Sequence, residues 1–325
     1  MSDNPAVNDS PALNAYRPSP RPVFDRATAL RRAEVTRHVW GDTESGEVLD
    51  WIYVSSSLIH QIVFGLPVGS SFRHSDAFRT IFAADEVLHV LSGTMILSNP
   101  ATGEAQRVNA GEAAFFRRDT WHHAHAVGTD PLRVLEIFAP PPAAGASGSY
   151  ARTKELLTDV RLADDALLGR LATNERAAPG PNSMRVIRPA DLRWRLEPGR
   201  PGPLPVGLVA STEHLTVAMG ELYAGQSGDW QTRGGDESGY VLDGVLGIRI
   251  GSDGGREWLE LRPGDGWYVP KGISHSYFAP EGPARFIFGV APRFLADPGD
   301  PGDPGGSSTT ASKLARIIHE SRRSG

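Results

Sequence analysis

The sequence predicts an all-β protein made of two copies of one small β-barrel in tandem. From about Glu34 onward the chain is cut into short runs rich in Val, Ile, Leu and Phe, separated by Gly, Pro, Asp and Asn, which is the spacing of a barrel or sandwich. Two such blocks occur, and their segments repeat one another in the same order. Helical spacing is confined to the stretch between the blocks and to the last residues of the chain.

Residues 1–33, a stretch bearing Pro and Asn, are expected to form a mobile N-terminal tail. The first block, residues 34–140, contains VLDWIYV, IHQIVFGL, EVLHVLSGTMILS, GEAAFF and PLRVLEIFAP. A linker follows over residues 141–195, where Leu156, Leu157, Val160, Leu167, Leu168 and Leu171 recur at roughly helical spacing. The second block, residues 196–292, contains HLTVAMGELY, SGYVLDGVLGIRI, GREWLELRPGDGWYV and ARFIFGVAP. Residues 293–325 begin with ADPGDPGDPGG, which cannot build a core, and end in a short helix, SKLARIIHESRR, with Leu314, Ile317 and Ile318 on one side.

The repeat is explicit at three places. DEVLHVLSGTM aligns with DESGYVLDGVL. GEAAFFRRDTWHHAHA aligns without a gap on GDGWYVPKGISHSYFA, placing Gly111 on Gly264 and His122 on His275. PLRVLEIFAPP and PARFIFGVAPR follow at similar distances. Gly93 and Gly244 each separate two strands, where a tight turn asks for positive φ. Pro270-Lys271-Gly272 is a further turn signal; Arg117-Arg118-Asp119 replaces it in the first block, so the two turns are expected to differ in backbone geometry or hydration.

Composition narrows the chemistry. The chain has no cysteine, so disulfides, thiolate metal sites and thiol nucleophiles are excluded, leaving His, Asp and Glu as metal ligands. A mixed surface with a formal net charge of -5 marks neither nucleic acid nor membrane as a partner. No apolar run reaches membrane-spanning length, and the N-terminus lacks the basic start and apolar stretch of a secretion signal. A soluble, cytoplasmic protein is expected.

The same segments resemble the cupin superfamily, whose motifs have the forms G-x5-H-x-H-x3,4-E-x6-G and G-x5-P-x-G-x2-H-x3-N. The second block follows both skeletons through Gly225, Gln231, Arg233, Glu237 and Gly244, then Gly264, Pro270, Gly272 and His275. The first block offers Gly69, His74, Asp76, Glu86 and Gly93, then Gly111 and His122. The resemblance covers roughly residues 56–140 and 196–292 and implies a bicupin, two jelly-roll barrels packed as an internal pseudo-dimer.

In metal-binding members of that superfamily three His and one Glu hold a divalent transition metal inside the barrel. The second block retains Glu237 and His275 but has Gln231 and Arg233 in place of the paired His, and an Arg repels a metal. It reads as a metal-free shell. In the first block the resemblance implies Glu86 and His122 as ligands and catalytic groups, with His74, Asp76 and His125 as further ligand candidates. The register is open: counting from Gly69 puts His74 and Asp76 on the H-x-H positions, whereas counting back from Glu86 puts Thr80 and Phe82 there.

Strand alternation in WHHAHA sets His122, Ala124 and Ala126 on one face and His123 and His125 on the other, unless a bulge exchanges them. Ala124 aligns with Tyr277, so the first barrel is expected to have room beside its histidine. His60 and His89 read as packing groups. Arg117 and Arg118 read either as a solvated turn or as a guide for an anionic substrate.

The resemblance then implies a metal-dependent enzyme acting on a small organic molecule, with a dioxygenase using Fe(II) favoured and Mn, Ni, Cu or Zn as alternative metals. An isomerase, cyclase or decarboxylase is the nearest alternative, and a non-catalytic small-molecule-binding barrel the next. A homo-oligomer formed through barrel packing or the C-terminal helix is a further expectation.

Overall fold

The computed structural model describes residues 19–42, 45–73, 82–141, 161–162, 183–252 and 255–295. The chain begins with β1 (Thr28–Leu30), β2 (Thr36–Asp42), β3 (Gly46–Ser55), β4 (His60–Leu66), β5 (Ser71–Phe72) and β6 (Asp85–Ser92). It continues through β7 (Thr94–Asn99), β8 (Glu104–Asn109), β9 (Ala113–Phe116), β10 (His123–Val127) and β11 (Leu132–Ala139). Between the barrels lie β12 (Arg161–Leu162), β13 (Met184–Ile187) and a 3-10 turn at Pro189–Asp191. The second set starts with β14 (Arg193–Glu197), β15 (Gly199–Arg200), β16 (Leu204–Ser211), β17 (Thr216–Leu222) and β18 (Ser227–Gly228). It ends with β19 (Asp236–Asp243), β20 (Leu246–Ser252), β21 (Gly255–Leu261), β22 (Gly266–Val269), β23 (His275–Phe278) and β24 (Ala284–Ala291).

Each barrel pairs a seven-stranded sheet with a five-stranded one. In the first barrel the orders are β13-β9-β6-β11-β4-β3-β2 and β12-β8-β7-β10-β5; in the second, β1-β22-β19-β24-β17-β16-β14 and β15-β18-β23-β20-β21. Alternation along these strands sends one set of side chains into the barrel and the other outward. Phe64, Leu88, Met95 and Leu97 fill the first interior, and Val241, Ile248, Trp267 and Phe286 fill the second. A third apolar cluster, including Tyr53, Val63, Leu135, Val217 and Ile287, lies between the two large sheets and joins the barrels. Fully burying each aliphatic side chain of this kind is worth roughly 1.5–3 kcal/mol.

The barrels also exchange strands. β1 precedes the first barrel but pairs with β22 of the second, Ala29 opposite Trp267. β13 precedes the second barrel but pairs with β9 of the first, Val186 opposite Ala114. Two equivalent ion pairs anchor these strands: Arg31 Nη1 lies 3.0 Å from Asp265 Oδ2, and Arg188 Nε lies 3.6 Å from Glu112 Oε1. Polar links cross the interface as well. Tyr53 donates its hydroxyl proton to the Gly264 carbonyl at 2.6 Å, and Ser56 donates to Asp236 at 2.7 Å.

These strands correct two expectations. The stretch expected to be a free tail contains β1, held by a sheet edge of the other barrel. Arg161 and Leu162, placed by their spacing within a linker helix, instead form a strand parallel to β8. The rest of that helix, and the C-terminal helix, lie outside the described residues. No helix among the described residues is long and apolar enough to cross a membrane.

The turns follow the sequence more closely. Gly93 and Gly244 have φ of 77° and 75°, and a Cβ at Gly244 would collide with the Pro283 carbonyl. The Arg117–Asp119 turn ends on a left-handed residue, as Pro270–Gly272 does. Asp119 takes φ 64° where Gly272 has φ 82°, because a short acidic side chain tolerates the left-handed region better than most.

Candidate metal centre

Glu86, His122 and Glu136 are buried together in the first barrel, with ligand atoms all within 4.8 Å of one another. Glu86 comes from β6, Glu136 from the neighbouring β11, and His122 from the residue before β10. Glu86 lies opposite Phe138, and Glu136 opposite Leu88, so alternation puts both carboxyls on the inner face. His122 Nδ1 is 3.3 Å from the Thr120 carbonyl, and Nε2 is 3.9 Å from Glu86 Oε2. Burial holds the His122 imidazole down to about 4, so it is neutral near pH 7. With Nδ1–H donating to Thr120, the Nε2 lone pair faces the carboxylates.

The carboxyls are electrostatically strained. Burial raises Glu86 well above the usual carboxylate range, and Glu136 and Asp85 raise it further. Burial also raises Glu136, which shares a hydrogen bond with Glu86. Asp50, another buried carboxyl of the first barrel, is raised by burial and by Glu136. Glu86 Oε2 has no hydrogen-bond partner. A buried carboxylate oxygen without a donor is costly, and a divalent cation is the kind of partner it lacks. The donor set therefore fits a metal: one neutral imidazole and two carboxylates presenting lone pairs to a common point.

The second barrel resolves the same position differently. Glu237 Oε1 accepts from Trp267 Nε1 at 2.9 Å and from the Tyr277 hydroxyl at 2.6 Å. Its Oε2 lies 3.2 Å from Arg233 Nε and 3.3 Å from His275 Nε2. Burial alone raises the Glu237 carboxyl, but His275, Arg233 and Tyr277 outweigh it and bring it down to about 2. Arg233, packed 4.0 Å over the Phe294 ring, supplies the cation internally. These residues do not fit a metal.

The Phe82 carbonyl accepts from the Asp119 amide at 2.7 Å, as the Arg233 carbonyl accepts from the Gly272 amide at 3.3 Å. Phe82 therefore stands where the second barrel has Arg233, as counting back from Glu86 gives. Its ring stacks on Phe138 at 5.6 Å and lies 6.3 Å from His122. His74, Asp76 and Thr80 lie outside the described residues.

Two further expectations change. His125 pairs with Ile96 and faces outward beside His123, 6.4 Å away, so it is not in the cluster. The room expected beside His122 is taken by Phe72, whose ring lies 6.0 Å from the imidazole. Phe72 pairs with Ala124, whereas in the second barrel Gly228 on the neighbouring strand leaves room for Tyr277. Arg117 pairs with Asp85 at 3.0 Å and with Glu213 of the second barrel.

Glu136 escaped the sequence reading. Its signal was a lone carboxylate in the apolar run PLRVLEIFAP, on the face of Val134 and Phe138 and opposite an aligned Phe288. His60 is satisfied as expected, with Nδ1 2.8 Å from Ser55 Oγ.

Comparison with known proteins agrees with the duplicated fold. The cupin domain family matches residues 83–138 and 218–290. No curated protein matches. Among solved structures, the Lactobacillus farciminis oxalate decarboxylase formate complex is similar at 14% identity and TM-score 0.55, over 85% of this chain and 88% of that one. The Bacillus subtilis oxalate decarboxylase, studied for its Mn(II) centres, is similar at 13% identity and TM-score 0.53, over 85% and 79%. AerE from Microcystis aeruginosa is similar at 13% identity and TM-score 0.51, over 79% and 97%. With the motif glycines and the strand-exchanged barrels in place, each of the two tandem barrels of this chain carries a match to the cupin domain family.

Proposed function

We propose that the first barrel holds a divalent transition metal through Glu86, His122 and Glu136, and that the chain is a metal-dependent enzyme acting on a small organic molecule. The observation that carries this reading is the buried Glu86 Oε2, which lacks a hydrogen-bond partner and lies among two other ligand-bearing side chains. The oxygen-rich donor set suits Mn(II) or Fe(II) better than Cu or Zn. A metal bound there would polarise a substrate carbonyl or carboxylate.

The chain's own groups define the rest. The Thr120 carbonyl fixes the His122 tautomer. Burial raises both Glu86 and Glu136, which share a hydrogen bond between their carboxyls, and a bound divalent cation would take the place of the proton held there. Phe82 and Phe138 give the site an aromatic wall that excludes water. A decarboxylase, isomerase or cyclase, in which the metal would polarise a substrate carbonyl or carboxylate, is the reaction type we favour. Two of the similar structures are oxalate decarboxylases, which accords with it. The dioxygenase reading needs a second imidazole beside His122, and His74 is the candidate for it.

The test is elemental analysis of the full chain purified without chelators and reconstituted with Fe, Mn, Ni, Cu and Zn in turn. Stoichiometric metal that is lost in Glu86→Ala, His122→Ala and Glu136→Ala supports the reading. Absence of metal under every condition overturns it and favours a non-catalytic binding barrel. The same measurement on His74→Ala and Asp76→Ala decides whether either supplies a further ligand.

A further inference from the structure

The five-stranded sheets of the two barrels differ on their outer faces. Along β20 the outward positions are Gly247, Arg249 and Gly251, and the missing side chains make room for rings. Phe278 lies directly over Gly247, and Trp230 approaches Gly251 with 3.6 Å left for a Cβ. Trp258 stacks on Phe278 at 5.7 Å and 20°, and the Arg249 guanidinium sits 4.6 Å over the same ring. Trp258 is nevertheless 58% exposed and Trp230 40% exposed. At the aligned places in the first barrel stand His125, Ser98 and Ala105. An exposed aromatic platform of this kind marks a contact surface.

Its edge is also incomplete relative to the other copy. In the first barrel β8 is flanked by β12, a strand from the chain that follows β11. The equivalent strand β21 ends its sheet with no such neighbour among the described residues. The chain that follows β24 contains an amphipathic pattern that lies outside the described residues, SKLARIIHESRR.

We propose that residues 312–323 dock on this face of the second barrel of the same chain, over Trp258, Phe278 and Trp230, on the side where β21 ends its sheet. The described chain ends at Leu295, whose carbonyl packs against Gly234 in the loop that also carries Trp230. Residues 296–311 span up to roughly 50 Å when extended, at about 3.3 Å per residue, which is enough to reach β21 from there. Leu314, Ile317 and Ile318 form one apolar stripe at helical spacing, suited to laying over a ring platform. Lys313 and Arg316 border the stripe, and the exposed Glu257 next to Trp258 is a carboxylate within the target strand.

Hydrogen exchange on the full chain tests the contact. Amides of residues 312–323 are expected to exchange at least tenfold more slowly than an unstructured segment, and to lose that protection in Trp258→Ser. Ile317→Glu, which leaves both barrels unaltered, is expected to speed exchange in β21 and to increase iodide quenching of tryptophan fluorescence. Unprotected amides at 312–323 in the parent chain overturn the proposal, as does protection that Trp258→Ser leaves intact. Protection that falls on dilution overturns it too, because the segment then comes from a second copy.

Discussion

Glu86 and Glu237 stand at the same point of the repeat, on β6 and β19, and both are sealed from water. Around Glu237 the barrel has placed an indole, a phenol, a guanidinium and an imidazole, and the carboxylate is satisfied without help from outside. Around Glu86 the aligned residues are Ala114, Ala124, Phe82 and His122, and Glu136 adds a second carboxyl where Phe288 stood. Three donors have been removed and one acceptor added. One copy has become a closed ion-pair core, and the other an open acceptor site that only a proton or a cation can neutralise. The difference teaches that one barrel satisfies the carboxylate of the shared motif internally while the other leaves it among acceptors.

Removing each carboxylate in turn is the sharpest way to break this comparison. Glu237→Ala leaves Glu197 as the remaining carboxylate acting on the buried Arg233 and orphans the Trp267 and Tyr277 donors, and is expected to cost about 3–5 kcal/mol. Glu86→Ala, measured with chelator present, removes a group that lacks its partner and is expected to change stability by no more than about 1 kcal/mol, because the relieved carboxylate offsets the small void. Urea unfolding of both variants decides it. Equal losses would mean that Glu86 is as well satisfied as Glu237, and the open-site reading would fail.

A smaller effect separates the barrels by pH. His89, on the interface face of the first barrel, is brought down to about 4 by burial and by Arg285; the second barrel has Tyr240 at the aligned position. The unfolded imidazole takes a proton below about 6.5, whereas the folded one stays neutral until about 4. The unfolded state therefore binds more protons in that window, and stability is lost as pH falls through it. Relative to His89→Leu, the parent is expected to lose about 1.4 kcal/mol per pH unit between roughly pH 6 and pH 4, reaching about 2–3 kcal/mol. Working from the difference between parent and variant removes the opposing contribution of the raised carboxyls Asp50, Glu86 and Glu136, which are common to both. A pH-independent difference would show that His89 is solvated.

How much of this was legible in the sequence depended on whether spacing or partners set the outcome. The repeat, the turns at Gly93 and Gly244, and the inward face of His122 follow from alternation and backbone sterics, which act over a few residues. The strand exchange was written in a weaker repeat, with Leu30-Arg31 matching Ile187-Arg188, but no local rule says which barrel a strand will join. Glu136 was visible as a charge in an apolar strand, yet only β6 packed beside it makes it a partner of Glu86. The room beside His122 was misjudged because a pocket is a sum over neighbouring strands: the small Ala124 is offset by the large Phe72, and the large Tyr277 by the small Gly228. His125 was misplaced as a ligand for a simpler reason, since its own alternation already pointed it outward.

The smallest predicted effect concerns the turn that precedes His122. Asp119 adopts φ 64° where the second barrel uses Gly272 at 82°, so the first barrel retains a left-handed residue that carries a Cβ. The left-handed conformation costs an ordinary residue roughly 1–2 kcal/mol, and somewhat less for Asp. Asp119→Ala is therefore expected to lose about 1 kcal/mol, while Asp119→Gly relieves the backbone but adds freedom to the unfolded chain and should fall within about 0.5 kcal/mol of the parent. Thermal unfolding of the two variants, with and without bound metal, sharpens the comparison. If the turn serves only the backbone, the loss in Asp119→Ala is the same with metal present. If it also aims His122, metal affinity falls in Asp119→Ala and recovers in Asp119→Gly, because glycine restores the geometry that the second barrel already has.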